Sequence, residues 1–336
     1  MFVADVNQDN KLDIIVGNYG TNTIGVFLNT GNGTFRSQIV YFAGTGSISN
    51  PNSLSVIDVN GDNNPDIIVA NQGANNVGVF FNTGNGTFVL SSTYSTGISS
   101  RPACVSVADL NNDSTPDIAV VNYGTNNVGV LLNFGNGTFR SQISYSTGSN
   151  PQAVFIGDIN QDKKPDIVVG NYGSNNVGVF FNNGNGTFRS QVSYSSGTSS
   201  QPYSVFVADL NGDSNPDIIV ANSGTDNVGV LFNYGNGTFS SQKLYSTGSN
   251  SSPYCIVVAD MNLDGKLDII VGNHDADNVG IFLNLGNGTF LSQKTFQVGS
   301  SPFCIAVADL NNDSKLDITV ANLGADSIGV LLASWH

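Results

Sequence analysis

Seven copies of a nine-residue segment run along this 336-residue chain, and in each copy four side chains offer hard oxygen donors. In the copy Asp260-Met261-Asn262-Leu263-Asp264-Gly265-Lys266-Leu267-Asp268, numbered 1 to 9, the donors stand at positions 1, 3, 5 and 9, and position 7 can add a backbone carbonyl. Position 1 is held by Asp5, Asp58, Asp109, Asp158, Asp209, Asp260 and Asp309, and position 3 by Asn7, Asn60, Asn111, Asn160, Asn211, Asn262 and Asn311. Position 5 is held by Asp9, Asp62, Asp113, Asp162, Asp213, Asp264 and Asp313, and position 9 by Asp13, Asp66, Asp117, Asp166, Asp217, Asp268 and Asp317. Three carboxylates and an amide oxygen on a tight loop are the donor set that Ca²⁺ takes. Up to seven calcium ions are therefore expected, one per copy.

The charge of the chain follows from these loops. All 25 acidic residues are aspartates; three in each of seven loops make 21, leaving Asp226, Asp275, Asp277 and Asp326. The formal net charge of −14 is what seven divalent ions would cancel, and without them each loop holds three mutually repelling carboxylates. The 11 Lys and Arg form no basic stripe, which argues against a nucleic-acid partner. No apolar run approaches the roughly 20 residues of a membrane helix, so no membrane insertion is expected. Cys104, Cys255 and Cys304 cannot all pair among themselves. They share a slot two residues after Pro102, Pro253 and Pro302, where other copies place Ser53, Ala153 and Ser204, and read as small inner-strand residues rather than a disulfide framework. There is no Glu, no Ser-His-Asp or Cys-His arrangement stands out, and nearly every carboxylate is committed to a loop, so the chain is expected not to be an enzyme. Calcium loops of modest affinity serve where calcium is abundant. An extracellular, secreted setting is thus expected although the first residues carry no signal-peptide pattern, and the chain reads as a piece of a longer protein.

The elements that must position the loops repeat with them. The loops start 53, 51, 49, 51, 51 and 49 residues apart, a period that marks an array of small units. In the fifth unit, Pro202-Tyr203-Ser204-Val205-Phe206-Val207-Ala208 is a β-rich run leading into the loop at Asp209. Asp217-Ile218-Ile219-Val220-Ala221-Asn222 follows, apolar on both faces, as suits a strand covered on each side. Val228-Gly229-Val230-Leu231-Phe232-Asn233 is a third strand, Tyr234-Gly235-Asn236-Gly237-Thr238-Phe239 a hairpin, and Ser241-Gln242-Lys243-Leu244-Tyr245 a fourth strand. Six prolines open first strands and four fill loop position 8, so none falls inside a strand. Four antiparallel strands repeated seven times predict an all-β, seven-bladed β-propeller, a single domain with blades at about 1–47, 48–98, 99–148, 149–198, 199–249, 250–299 and 300–336. The seventh blade ends at Ala333-Ser334-Trp335-His336 where the hairpin should be, so it is expected to lack its outer strand. The open edge then offers a site for association of an otherwise monomeric protein.

Val207-Ala208-Asp209-Leu210-Asn211-Gly212-Asp213, then Pro216-Asp217-Ile218, Val228-Gly229-Val230 and Gly235-Asn236-Gly237-Thr238-Phe239, resemble the FG-GAP/VCBS repeat, a family that includes the integrin α-subunit propeller. The resemblance covers essentially the whole chain. It implies a propeller with Ca²⁺ in the loops between first and second strands on one face, at the four positions given above, and ligands approaching the other face. The chain departs from the family at loop position 6, where Gly is usual: only Gly265 conforms, and Asn10, Asn63, Ser114, Lys163, Ser214 and Ser314 replace it. Lys163 brings a like charge toward the cation, making the fourth loop the weakest expected site. The helix-flanked EF-hand is rejected, since position 12 never supplies a Glu and no helical period occurs.

Opposite the loops, one slot of the second connection reads Tyr19, Gln72, Tyr123, Tyr172, Ser223, His274, Leu323, and the residue after the strand-opening proline reads Asn52, Ala103, Gln152, Tyr203, Tyr254, Phe303. Tyr19, Tyr123, Tyr172, Tyr203, Tyr254, His274 and Phe303 are the candidate ligand anchors. The function expected is a non-catalytic binding or adhesion scaffold that presents this face to a protein partner. The alternatives are a lectin, binding a glycan between blades, and more remotely a polysaccharide-active enzyme. The Asn-Gly-Thr sequons at Asn32, Asn85, Asn136, Asn185, Asn236 and Asn287 are read first as turn chemistry, not as glycosylation sites. A site with a dissociation constant near roughly 10 µM stabilises the fold by about 2.7 kcal/mol in roughly 1 mM calcium. Adding a chelator is therefore expected to lower the melting temperature, and an unchanged thermal scan would remove calcium from the account.

Overall fold

The computed structural model describes residues 1–44 and 48–333. The chain divides into two compact units: Met1–Ile156 with Lys164–Val169 and Val179–Gln191, and Gly157–Lys163 with Gly170–Gly178 and Val192–His336. Seven antiparallel sheets follow one another in chain order. The first holds Phe2–Ala4, Asp13–Asn18, Thr23–Phe27 and Ile39–Phe42; the second Pro51–Ile57, Asp66–Asn71, Asn76–Asn82 and Phe88–Ser95; the third Pro102–Ala108, Asp117–Asn122, Asn127–Leu131 and Ile143–Ser146. The fourth holds Pro151–Gly157, Asp166–Asn171, Asn176–Phe180 and Val192–Ser195; the fifth Pro202–Ala208, Asp217–Asn222, Asn227–Leu231 and Lys243–Ser246; the sixth Pro253–Ala259, Asp268–Asn273, Asn278–Phe282 and Lys294–Gln297. The seventh has three strands, Pro302–Ala308, Asp317–Asn322 and Ser327–Leu331. The fold is an all-β seven-bladed β-propeller, four-stranded except in the last blade. Ser334, Trp335 and His336, which stand where the seventh hairpin was expected, lie outside the described residues.

Burial follows strand order. The second strand is buried at all six residues in blades 2 to 6, as its two-sided apolar composition predicts, whereas the fourth strand alternates outward and is largely exposed. The core therefore lies between neighbouring sheets. Val6, Ile15 and Val26 of blade 1 pack on Leu54, Val69 and Phe80 of blade 2, and Leu210, Ile219 and Val230 of blade 5 on Ile256, Val271 and Phe282 of blade 6. Each such side chain contributes roughly 1.5–3 kcal/mol by leaving water. At the periphery, fourth-strand tyrosines meet the hairpin phenylalanine of the next blade edge-on: Tyr94 on Phe139 at 5.5 Å and Tyr245 on Phe290 at 5.1 Å.

Beneath each loop, the position-9 aspartate opens the second strand and is 0 % exposed in all seven copies. In blade 5, Oδ2 of Asp217 accepts the Leu210 N–H (3.0 Å) and Oδ1 the Asn233 N–H (2.9 Å), so one carboxylate closes both the loop and the hairpin. The Asn233 amide then donates to the Pro216 carbonyl (2.9 Å) and to the Ile159 carbonyl of blade 4 (2.7 Å). Asn82, Asn133, Asn182 and Asn284 repeat this reach to Val6, Val59, Leu110 and Leu210 of the preceding blade. A second tie crosses the third strand. The Gln142 and Gln293 amides donate to the Thr96 and Thr247 carbonyls of the preceding blade, lying across Gly129 and Gly280, where a Cβ would collide with them.

Asp217→Ala leaves two buried N–H groups without an acceptor and is expected to cost roughly 2–5 kcal/mol in denaturant unfolding, with Asp217→Asn losing less. Burial pushes Asp13, Asp66, Asp117 and Asp217 up to about 6, Asp268 and Asp317 being raised in the same direction. A carboxyl raised above its unfolded value favours the fold when protonated. Its contribution is full below about pH 4 and is lost as pH rises through about 6. With divalent ions chelated, the melting temperature should rise between pH 7 and pH 5; a fall over that range would contradict the burial of these groups.

Candidate metal loops and an aromatic site

Each loop is organised by its own carboxylates. In blade 3, Asp109 accepts the N–H groups of Asp113 (3.1 Å) and Ser114 (2.8 Å), Asn111 Oδ1 accepts the Asp113 N–H (2.9 Å), and Asp113 accepts the Thr115 N–H (2.9 Å). Position 6 donates to the position-1 carboxylate in every copy, from Asn10 to Ser314. Its backbone is left-handed throughout, with φ of 70° at Ser114, 64° at Lys163 and 82° at Gly265, as the family's preference for glycine there implies. Position 4 is left-handed as well, including Leu263 at φ 60°; Gly61, Asn112, Gly212 and Asn312 at this position carry the sequence signal for it, which Gln8, Gln161 and Leu263 obscure.

Positions 1 and 5 lie toward solvent while position 9 lies beneath them, fully buried. Asp213 and Asp209 each raise the pKa of Asp217, so the three carboxylates feel one another across the loop. Among the described residues no three of these acidic groups form a ready-made cage, and the Asn111 amide nitrogen is turned onto Asp113 Oδ2 at 2.8 Å. The donor set is nonetheless one of hard oxygens alone, and its mutual repulsion is the electrostatic condition that a divalent cation relieves.

At the other end of the sheets the ladder between first and second strands slips by one residue in blades 2, 3, 5, 6 and 7. In blade 5 Pro202 pairs with Asn222 and Ser204 with Ala221, leaving Tyr203 as the extra residue of a β-bulge. In these five blades the slot after the strand-opening proline is thus a bulge, and it re-aims Tyr203, Tyr254 and Phe303 away from the sheet. In the second compact unit these three meet Tyr172 and His274. Tyr203 stacks on Tyr254 (3.9 Å between centroids, 8° between planes), Tyr254 stacks on His274 (4.2 Å, 20°), and Phe303 meets Tyr203 and Tyr254 edge-on at 6.0 and 6.1 Å. Tyr172 meets Tyr203 edge-on at 6.1 Å. All five residues are half-buried.

Five of the seven ligand candidates are therefore brought together. The other two belong to the first unit, where Tyr19 donates its hydroxyl to Gln72 (2.9 Å) and Tyr123 lies under the Arg101 guanidinium (5.4 Å). Asp275 completes the cluster. It accepts from Ser252 Oγ (2.5 Å) and meets His274 Nδ1 at 2.6 Å, contacts that hold its carboxyl below the usual range. Burial, then Asp275 and Tyr172, push the Tyr254 hydroxyl up. Ser252 donates to the carboxylate and not to the imidazole, so the trio lacks the serine–histidine bond that activates a nucleophile. Asp226 and Asp277 serve the connections instead, accepting backbone N–H groups of Ser251 (2.9 Å) and Ser301 (2.7 Å). The sequon asparagines are exposed and act in the turn: Asn136 Oδ1 accepts the N–H (3.1 Å) and hydroxyl (2.6 Å) of Thr138.

Comparison with known proteins matches the scaffold. Among solved structures, an Agrocybe aegerita lectin that recognises non-reducing terminal N-acetylglucosamine is 23% identical with a TM-score of 0.62, covering 97% of this chain and 85% of the lectin. Virginiamycin B lyase from Staphylococcus aureus is 14% identical (TM-score 0.61; 86% and 83% covered), and a putative 6-phosphogluconolactonase from Bacteroides uniformis 14% identical (TM-score 0.69; 96% and 92% covered). At these identities the likeness is one of fold. No curated protein matches the sequence. The FG-GAP-like repeat model matches six times in overlapping succession, at residues 5–69, 58–120, 109–169, 158–220, 209–271 and 260–320. The chain belongs to the FG-GAP-like repeat family.

Proposed function

We propose that this chain is a non-catalytic, calcium-braced binding propeller acting outside the cell, with its ligand site at Tyr172, Tyr203, Tyr254, His274 and Phe303. The observation that carries this reading is the bulge that aims Tyr203, Tyr254 and Phe303 into one half-buried cluster beside His274 and Asp275. Stacked aromatics with a polar margin are the composition of binding hot spots, where the rings exclude water and the hydroxyls fix orientation. Both faces of Tyr254 are covered, by Tyr203 and His274, so the cluster offers edges and hydroxyls to its ligand. That surface suits a protein partner better than a sugar ring, which seeks a free aromatic face.

In this reading calcium is the brace. Positions 1, 3, 5 and 9 of the loops hold it, and it neutralises carboxylates whose repulsion would otherwise strain the connection. The lectin alternative is favoured by one finding, the 97% coverage of this chain by the N-acetylglucosamine-recognising lectin fold.

A glycan array probed in millimolar calcium, alongside a pull-down from secreted proteins, separates the two. Silence on the array and capture of a protein that Tyr254→Ala abolishes and Tyr123→Ala preserves is the expected result. Calcium-dependent binding to a defined sugar, lost in Tyr254→Ala, would establish the lectin instead. For the metal, native mass spectrometry should count up to seven bound calcium ions and one fewer in Asp264→Ala; an unchanged count would exclude that loop as a site.

A further inference from the structure

The slot two residues after each strand-opening proline faces its counterpart in the next blade. Ser53 Oγ lies 3.6 Å from Cys104 Sγ and accepts the Val105 N–H at 3.3 Å. Ser204 Oγ accepts the Ile256 N–H at 3.3 Å, and Cys255 Sγ the Ile305 N–H at 3.3 Å. Between blades 6 and 7 both slots are cysteine, and Cys255 Sγ stands 4.0 Å from Cys304 Sγ. Cys104 faces the Ser53 hydroxyl and the Val154 carbonyl.

This thiol pair joins two blades between which the described residues supply neither of the repeated side-chain ties. In blade 7 Ala333 occupies the clasp position; its N–H still reaches Asp317 (2.7 Å), but it has no side-chain amide to extend to blade 6. The described residues of blade 7 also include no fourth strand, and hence no glutamine to lie across Gly329. What joins the two blades is the apolar core of Ile270, Ile281, Ile305 and Ile318 and the contact between their first strands.

We propose that Cys255 and Cys304 form a modification site, a dithiol that low-molecular-weight disulfides of the glutathione class close into a bond stapling the seventh blade to the sixth. The hydrogen bond from the Cys255 thiol holds Cys304 well below the usual thiol range, which makes it the attacking thiolate, while Cys255 is raised. Cys304 attacks one sulfur of oxidised glutathione and expels a glutathione thiolate, forming a mixed disulfide. Cys255, giving up its proton, attacks the Cys304 sulfur and expels the second glutathione. The protein loses two hydrogens and two electrons, and one glutathione disulfide becomes two thiols. The bond brings the sulfurs from 4.0 Å to roughly 2 Å and closes a loop of 49 residues' separation, a constraint that acts on the unfolded chain.

The test is incubation of the whole chain in oxidised and reduced glutathione buffers, followed by acid quench, alkylation and peptide mapping. In the oxidised buffer the peptides of Cys255 and Cys304 should be joined, Cys104 alkylated, and the alkylatable thiols reduced from three to one. Cys104→Ser should cross-link like the parent, and Cys255→Ser should stop at a glutathione adduct on Cys304. Three alkylatable thiols in oxidised buffer, a bridge that includes Cys104, or a persistent adduct on Cys304 of the parent chain would each overturn the proposal.

Discussion

A carboxylate sealed from water at the start of every second strand is the constraint on which the rest of this protein depends. An isolated buried charge is costly, and here burial has raised its pKa. The cost is offset because both oxygens of Asp217 accept backbone N–H groups from the metal loop and the hairpin, elements that would otherwise bury unpaired donors. The same hairpin asparagine carries the connection to the neighbouring blade. Loop, hairpin and blade interface thus share one hydrogen-bond network, and a change in any of them is felt by the others.

Much of this was legible in the sequence. The period of the loops, the prolines at strand starts and the Gly-Asn-Gly hairpins specify strand number and order, since each residue type has a backbone reason to stand where it does. The two-faced apolar second strand announced its burial, and the three strands of the seventh sheet among the described residues agree with the expectation for that blade. The division of labour among the aspartates was hidden. Asp217 looks identical to Asp209 and Asp213 until the hairpin that passes 16 residues later is folded against it.

The aromatic site was legible in its residues and not in its geometry. Tyr203 follows a proline in what reads as an unbroken β run, and a one-residue slip leaves no mark on composition. Register decides whether that side chain packs in the sheet or leaves it, and register is a property of two strands together. Tyr19 and Tyr123 carry the same sequence signal as Tyr172 but among the described residues meet no second ring of this kind, because the slot of the next blade that Tyr203 fills for Tyr172 holds Asn52 and Gln152.

The direction of the clasps has a consequence for synthesis. The hairpin asparagines of blades 2 to 6 each donate to a carbonyl of the blade before them in the chain, as Asn82 does to Val6 and Asn284 to Leu210, and Gln142 and Gln293 do the same. A blade leaving the ribosome finds its acceptors already made, and none of these bonds waits on chain still to come. Local sheets and backward-facing bonds keep the separation between partners near one repeat, which favours sequential growth over a search for distant pairings. The order of translation is also the order in which these blades can be secured.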